Sequence, residues 1–562
     1  MTGPKAPKDP TAKGSSFYIC RQKEVAGNPV PDGRGVQFIY LDGSRLTTFA
    51  RMVGNVTDES MIKNLETAEG FLGMVAGIGV TVEADDRDQV IDFAFQMYGK
   101  KDTYGAGDTI TVHCKPDGME QIIWLDDYQW SDNNGVVGQM RFEFDRPEKL
   151  ATVDVKLYLR EGFTAPEQEE HTPINVEGEP YQAILKRSLM SMGNYARVKR
   201  VIDRAKKGEE VTIAFIGGSI TQGAGATPIH LKSYAYQTWE RFKKNFGENV
   251  KLIKAGVGGT PSELGMIRFE RDVLRNGAVK PDLIVIEFSV NDEGDETKGL
   301  CYESLVRKCL ALSDDTAVIL IHAVFASDWN LEERLGPVGE RYEIPMVSVR
   351  QGVVPQFYLK PETGRVLTKS QFFYDVFHPT NMGHTIMADC LIHLMQQIDK
   401  APEMADADWR SKEPVFGTTF ENVELVDKIW KNDLLKDLKP GSFDAVDDDL
   451  HKVEMDDVLL PVAEFPNNWQ HLSGNEPFSV KITCKALLIV SKDSGSAEYG
   501  KATVCVDGKE VLTLDPRAVG WTHCTPQIIW RSEESAEHLV EVKMIPGDED
   551  KKMTILGFGV VR

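Results

Sequence analysis

V-T-I-A-F-I-G-G-S-I-T-Q-G, residues Val211 to Gly223, decides the fold of this chain. An apolar run breaks abruptly into glycines around a single serine, the pattern of a buried parallel strand, a tight turn and a helix start. Val211, Ile213, Phe215 and Ile216 carry the β-branched and aromatic enrichment of such a strand. Gly217 and Gly218 permit a turn that a side chain would obstruct. Ser219 then stands at the carboxyl end of the strand, where open α/β sheets bind their ligands. A helix N-cap is the plain alternative for a serine there.

Downstream, strand-like runs at Val250 to Ala255, Asp282 to Phe288, Thr316 to Val324 and Ile344 to Val349 alternate with helical patterns. One helix runs from Ser262 as N-cap through Leu264, Ile267 and Leu274 to Gly277, and another places Leu305, Cys309 and Leu312 on one face. A last one starts near Thr380, buries Met387, Leu391, Leu394 and Ile398, and ends near Lys400. Tyr181 to Lys207 is helical material leading into the serine strand. The alternation predicts a doubly wound sheet of about five parallel strands over residues 181–400.

On either side the period changes to two. Residues 17–180 hold short alternating runs such as G-V-Q-F-I-Y-L-D-G, D-T-I-T-V-H-C and L-A-T-V-D-V-K-L-Y-L-R, which predict a β-sandwich. There Trp124, Tyr128 and Trp130 read either as a sugar-stacking platform or as core aromatics. Residues 401–412 form a polar linker, and 413–562 a second β-sandwich with a hairpin turn at Asp507-Gly508. Residues 1–16 read as a disordered tail. The fold class is therefore α/β, a central doubly wound sheet flanked by N-terminal and C-terminal jelly-roll-like β-sandwiches. The acidic runs at Asp444 to Asp457 and at Asp292, Glu293, Asp295 and Glu296 read as solvated connections, neither matching a calcium loop.

At 562 residues the chain suggests about three domains of ~150 residues or more. Its net charge of −22 disfavours nucleic acid and anionic membrane surfaces and favours a neutral or cationic substrate. No apolar run reaches the ~18 residues of a membrane span, and the polar first residues show no signal sequence, so the expected location is cytoplasmic. The eight cysteines show no C-x-x-C spacing and read as packed, reduced thiols. No H-E-x-x-H helix appears, and His384 and His393, nine apart, read as ordinary helix histidines. The sequence calls for no metal and no cofactor.

Three more polar or glycine-rich breaks follow predicted strands: A-G-V-G-G-T at Ala255 to Thr260, S-V-N-D at Ser289 to Asp292, and D-V-F-H at Asp375 to His378. Together they supply an acyl-transfer apparatus. His378 takes the proton of Ser219 as it attacks a carbonyl, and Asp375 holds the imidazole tautomer. The oxyanion donors are the backbone N–H of Ser219, a backbone N–H at Gly259, or Gly258 one residue earlier, and the side-chain amide of Asn291.

In this order the four blocks G-G-S-I-T-Q-G, A-G-V-G-G-T, V-N-D and D-x-x-H-P resemble those of the SGNH, or GDSL, hydrolase superfamily, over about Val211 to Lys400. The resemblance implies Ser219 as nucleophile, Gly259 and Asn291 as oxyanion donors, and Asp375 with His378 completing the triad. G-G-S-I-T stands where the name motif has G-D-S-L, a variant familiar in sugar acetyl esterases of the superfamily, which often carry an extra β-sandwich. The resemblance thus implies removal of O-acetyl groups from acetylated oligosaccharides of xylan or mannan type. Trp329, after the strand ending near Val324, is the candidate sugar contact, and an exposed sandwich face the candidate surface for a homo-oligomer. A lipolytic or thioester hydrolase with the same triad, and an inactive carbohydrate-binding protein, are the competing readings.

Overall fold

The computed structural model describes residues 14–100, 107–168, 171–450, 452–459 and 461–562, so the tail expected over residues 1–16 lies outside the described residues up to residue 13, while its last residue, Ser16, opens a strand. The chain divides into two compact units. The first comprises the residues up to Val176 with Gly225–Pro228 and Gln356–Gly383, and the second comprises Glu177–Ala224, Ile229–Pro355 and His384–Arg562.

In the first unit, two antiparallel sheets contribute to one hydrophobic core. The four-stranded sheet has the order Ser16–Ala26, Leu150–Leu159, Val75–Glu83, Gln121–Trp124. The five-stranded sheet has the order Asn28–Pro29, Gly35–Tyr40, Asn134–Phe144, Ile91–Gly99, Thr109–Cys114. Period-two alternation turns Phe17, Ile19, Ile78, Val80, Phe93, Phe95, Phe142 and Val155 inward. Three helices that the alternation did not announce cover this core, Arg45–Met52, Glu59–Asn64 and Ala68–Met74. The second starts where the Asp58 carboxylate accepts the N–H groups of Ser60 and Met61, and the third where the Thr67 hydroxyl accepts that of Gly70. Phe49, Met61 and Phe71 enter the core from these helices. Each such side chain stabilises the fold by about 1.5–3 kcal/mol through burial.

The second unit is built on a six-stranded sheet. Its order is Leu189–Ser191, Met346–Ser348, Ala317–His322, Leu283–Glu287, Val211–Gly217, Val250–Gly256. The last five strands run parallel, as predicted, and Leu189–Ser191 adds an antiparallel edge. Every residue from Val211 to Gly217 is buried, which is why the run reads as continuously apolar rather than alternating. The helix Ser262–Asp272 is capped by Pro261 rather than Ser262, because the Ser262 N–H and hydroxyl are both committed to the Asp292 carboxylate at 2.8 and 2.7 Å.

The C-terminal strands belong to one hydrogen-bonded eight-stranded sheet, with a separate two-stranded ribbon. Its strand Phe478–Asp493 alternates at first and then is buried throughout from Ala486. Leu487 and Ile489 face a core within this sheet, whereas Ala486, Leu488 and Val490 join the core of the six-stranded sheet and its helices. Asp507 and Gly508, at φ 51° and 76°, make the expected hairpin turn. The acidic run from Asp444 is not wholly solvated. Asp447 is buried, pairs with the buried Lys492 at 3.0 Å, and accepts from Tyr499 and Thr554 hydroxyls. All eight cysteines are unpaired, and seven are buried. Among the described residues no helix is long and apolar enough to cross a membrane.

Candidate active site

Ser219 opens the short helix Ser219–Gln222 directly after the serine strand and is the single residue between Val211 and Ile220 that is not buried. The turn before it works only with glycine. A Cβ on Gly217 would lie 2.2 Å from the Thr221 hydroxyl oxygen, and one on Gly218 would lie 2.1 Å from Oδ1 of Asn291. The Asn291 amide therefore rests on the peptide that precedes the serine. A Cβ on Gly258 would come within 3.7 Å of the Ser219 Cβ. Three of the four sequence blocks thus meet in this unit.

Buried charge fixes the strand ends. Arg268 is fully buried and donates to the carbonyl oxygens of Gly217 and Ala255, both at 2.9 Å, while Asp272 neutralises it at 3.0 Å. One guanidinium thus ties the serine turn to the A-G-V-G-G-T loop. Lys254 donates to the Gln222 carbonyl at 2.8 Å, and burial lowers its pKa to about 8 against the pull of Glu454, Asp456 and Asp457.

The C-terminal sheet reaches the same loop. Gly259 has φ +72°, and a Cβ there would press on the Trp521 ring at 2.8 Å and on His523 at 3.2 Å. His523 Nε2 lies 2.9 Å from the Gly259 carbonyl oxygen, and its Nδ1 lies 2.9 Å from Oδ2 of Asp493. Sequence reading missed both aromatic residues. Their signal is a contact across 264 residues, which no local pattern carries.

Of the acidic run expected to be solvated, Glu293 and Glu296 are exposed but Asp292 and Asp295 are buried, as are the carboxyls of Glu263 and Glu287. Burial, with neighbouring carboxylates, pushes Glu287 and Asp292 up to about 8 and Glu263 up to about 9, so all three are protonated at neutral pH. Ligand atoms of Glu263, Asp295 and Cys301 lie within 4.8 Å of one another. Asp295 is already engaged, accepting from Thr297 and from the Gly299 N–H at the start of the helix Leu300–Ala311.

Asp375 and His378 belong to the first unit. The D-V-F-H turn closes on itself, the Phe377 and His378 N–H groups donating to Oδ1 of Asp375 at 2.7 and 2.8 Å. Both carboxylate oxygens face His378 Nδ1, at 3.0 and 2.8 Å. Burial raises the Asp375 pKa, but His378 and the two backbone donors outweigh it and hold the carboxyl at about 2. An ionised carboxylate at Nδ1 fixes the proton there and makes Nε2 the basic nitrogen. Gly225, at φ +87°, packs on this turn, where a Cβ would meet the Pro379 carbonyl at 2.2 Å and the Cβ atoms of His378 and Tyr374 at 3.0 Å.

Trp329 packs partly against the core of the second unit and stands 5.9 Å from the Phe325 ring. Trp124, Tyr128 and Trp130 do not form one platform. Trp130 packs on the first unit's core and donates to the Leu125 carbonyl, Trp124 sits against Tyr158, and Tyr128 is exposed. His384 is an interior helix histidine, accepting the Tyr234 N–H at Nδ1 and facing the Ala224 carbonyl with Nε2.

Residues 215–386 match the GDSL-like lipase/acylhydrolase family. Among solved structures, the chain is similar to a two-domain esterase (CEX) active on acetylated mannans, with 24% identity, a TM-score of 0.58, and 67% of this chain and 99% of that chain covered. The same esterase co-crystallized with mannopentaose gives 25% identity and a TM-score of 0.57, over 67% of this chain and 98% of that one. No match was found among curated protein sequences.

Proposed function

We propose that this chain, whose residues 215–386 match the GDSL-like lipase/acylhydrolase family, is a serine esterase that removes O-acetyl groups from acetylated oligosaccharides of mannan or xylan type. Ser219 is the nucleophile, His378 the general base and acid, and Asp375 the group that orients it. Ser219 Oγ attacks the acetyl carbonyl while its proton passes to Nε2 of His378. The oxyanion is met by the backbone N–H groups of Ser219 and Gly259 and by the Asn291 amide, each such donor stabilising the transition state by ~3 kcal/mol. Collapse returns the proton to the departing sugar hydroxyl and leaves an acetyl-enzyme, which water, deprotonated by His378, hydrolyses to acetate.

The observation that carries this reading is the Asp375–His378 pair, with both carboxylate oxygens on Nδ1 and the carboxyl held ionised. Support for a sugar ester comes from the relative active on acetylated mannans and from Trp521, 45% exposed beside Gly259. An aromatic face there suits a neutral sugar ring, and the net charge of −22 disfavours anionic lipid. The test is acetate release from acetylated mannan and xylan oligosaccharides and from an aryl acetate, wild type against Ser219→Ala. A fall of at least about 10³-fold with the fold intact is expected. Undiminished release by Ser219→Ala refutes the triad, and turnover confined to long acyl esters refutes the substrate class.

A further inference from the structure

The strand Ser16–Ala26 carries one charged residue where its pattern calls for an apolar one. Its inward positions are Phe17, Ile19 and Val25, yet Lys23 is also buried, 8% exposed. The cause is a break in pairing. The register to Leu150–Leu159 slips between Cys20 and Lys23, and Gln22 adopts φ +47°, a conformation uncommon for a residue with a side chain. The Gln22 N–H donates to Asp154 across the bulge at 2.6 Å. A bulge of this kind re-aims the side chain that follows it.

What Lys23 is aimed at is the D-V-F-H turn, in the same unit. Its ammonium donates to the Tyr374 carbonyl, the residue immediately before Asp375. It also lies 3.9 Å from the Tyr374 ring centroid and 5.0 Å from that of Phe49. We infer that Lys23 is a positioning residue for the Asp375–His378 pair, tying the bulged strand to the turn and holding positive charge behind the Asp375 carboxylate. The inference rests on the triad reading above. It makes the N-terminal sheet part of the catalytic apparatus rather than a spacer.

The electrostatics agree. Burial lowers the Lys23 pKa, and the Asp375 carboxylate opposes that shift. Charged or titratable groups around the pair include Lys23, Cys20 and Asp154 from the strand and its neighbour, Tyr374 from the turn, Tyr40 from the strand Gly35–Tyr40, and Arg45, whose guanidinium stands 5.9 Å from the Phe377 ring. Removing the Lys23 charge makes the imidazolium of His378 easier to form. The acidic limb of kcat/KM, which reports the neutral imidazole, then moves to higher pH.

The experiment compares Lys23→Gln, Lys23→Met and Lys23→Arg in the full chain, with pH profiles of aryl acetate hydrolysis and thermal melts. Glutamine keeps an amide N–H, on a side chain one atom shorter, and removes the charge. The expected result is an upward shift of the acidic limb by about one pH unit in the glutamine and methionine variants. The methionine variant should also lose about tenfold in kcat, and arginine should restore the wild-type limb. A limb unmoved in Lys23→Gln, or an arginine variant shifted as far as the neutral ones, overturns the inference. Ser219→Ala run alongside separates the two readings, because activity surviving in it defeats the triad whatever the lysine variants do.

Discussion

Gly218→Ala tests the oxyanion arrangement at a single atom. The alanine Cβ would lie 2.1 Å from Oδ1, 2.6 Å from Cγ and 2.9 Å from Nδ2 of Asn291, where ordinary contact begins at 3.4 Å. The amide must retreat by about 1.3 Å, and a displacement of ~1 Å in a catalytic group costs about 10²-fold. Complete loss of one oxyanion donor costs about 10²–10³ in kcat. Gly218→Ala should therefore lower kcat on an aryl acetate by about 10²–10³-fold with KM changed less than threefold. Because both changes remove the same donor, Gly218→Ala combined with Asn291→Ala should be no worse than the poorer single variant. Wild-type kcat in Gly218→Ala, or full additivity with Asn291→Ala, refutes the assignment of Asn291 to the oxyanion.

Two further outcomes follow from the same geometry. Trp521→Ala should raise KM for acetylated oligosaccharides about tenfold and leave aryl acetate kinetics unchanged, as steady-state assays on both substrates would show. Glu287 and Asp292 hold their protons up to about pH 8 in the fold, far above the unfolded carboxyl, so their contribution to stability is complete below the unfolded carboxyl pKa of about 4 and is lost progressively as pH rises from there to about 8. The melting temperature should fall between about pH 5 and pH 8, and Glu287→Gln should flatten that fall. A melting temperature equal at about pH 5 and pH 8 would contradict the buried, protonated carboxyls.

The parallel sheet was legible because parallel strands covered on both faces leave continuous apolar runs, and Val211–Gly217, Leu283–Glu287 and Ala317–His322 all do so. The breaks after the first two marked Ser219 and Asn291, and the glycines after Val250–Gly256 marked Gly259, because a polar residue or glycine ending a buried strand has a chemical or steric reason to be there. The helices Arg45–Met52, Glu59–Asn64 and Ala68–Met74 were not legible, being short segments lying between strand patterns. Acidic residues misled for a different reason. Asp292, Asp295 and Asp447 look solvated until their partners Ser262, Thr297 and Lys492 are seen, and burial of a charge depends on the partner rather than on the charge. Lys23, Trp521 and His523 act across hundreds of residues, on Tyr374 and Gly259, so no window of sequence could reveal them.

The most direct test of the account is where a serine-directed fluorophosphonate attaches. Peptide mapping of the labelled full chain should find one adduct, on Ser219, absent from Ser219→Ala and formed at least about a hundredfold more slowly by His378→Ala. An adduct on another residue, or acetate release that continues in protein fully labelled elsewhere, would contradict Ser219 as the nucleophile.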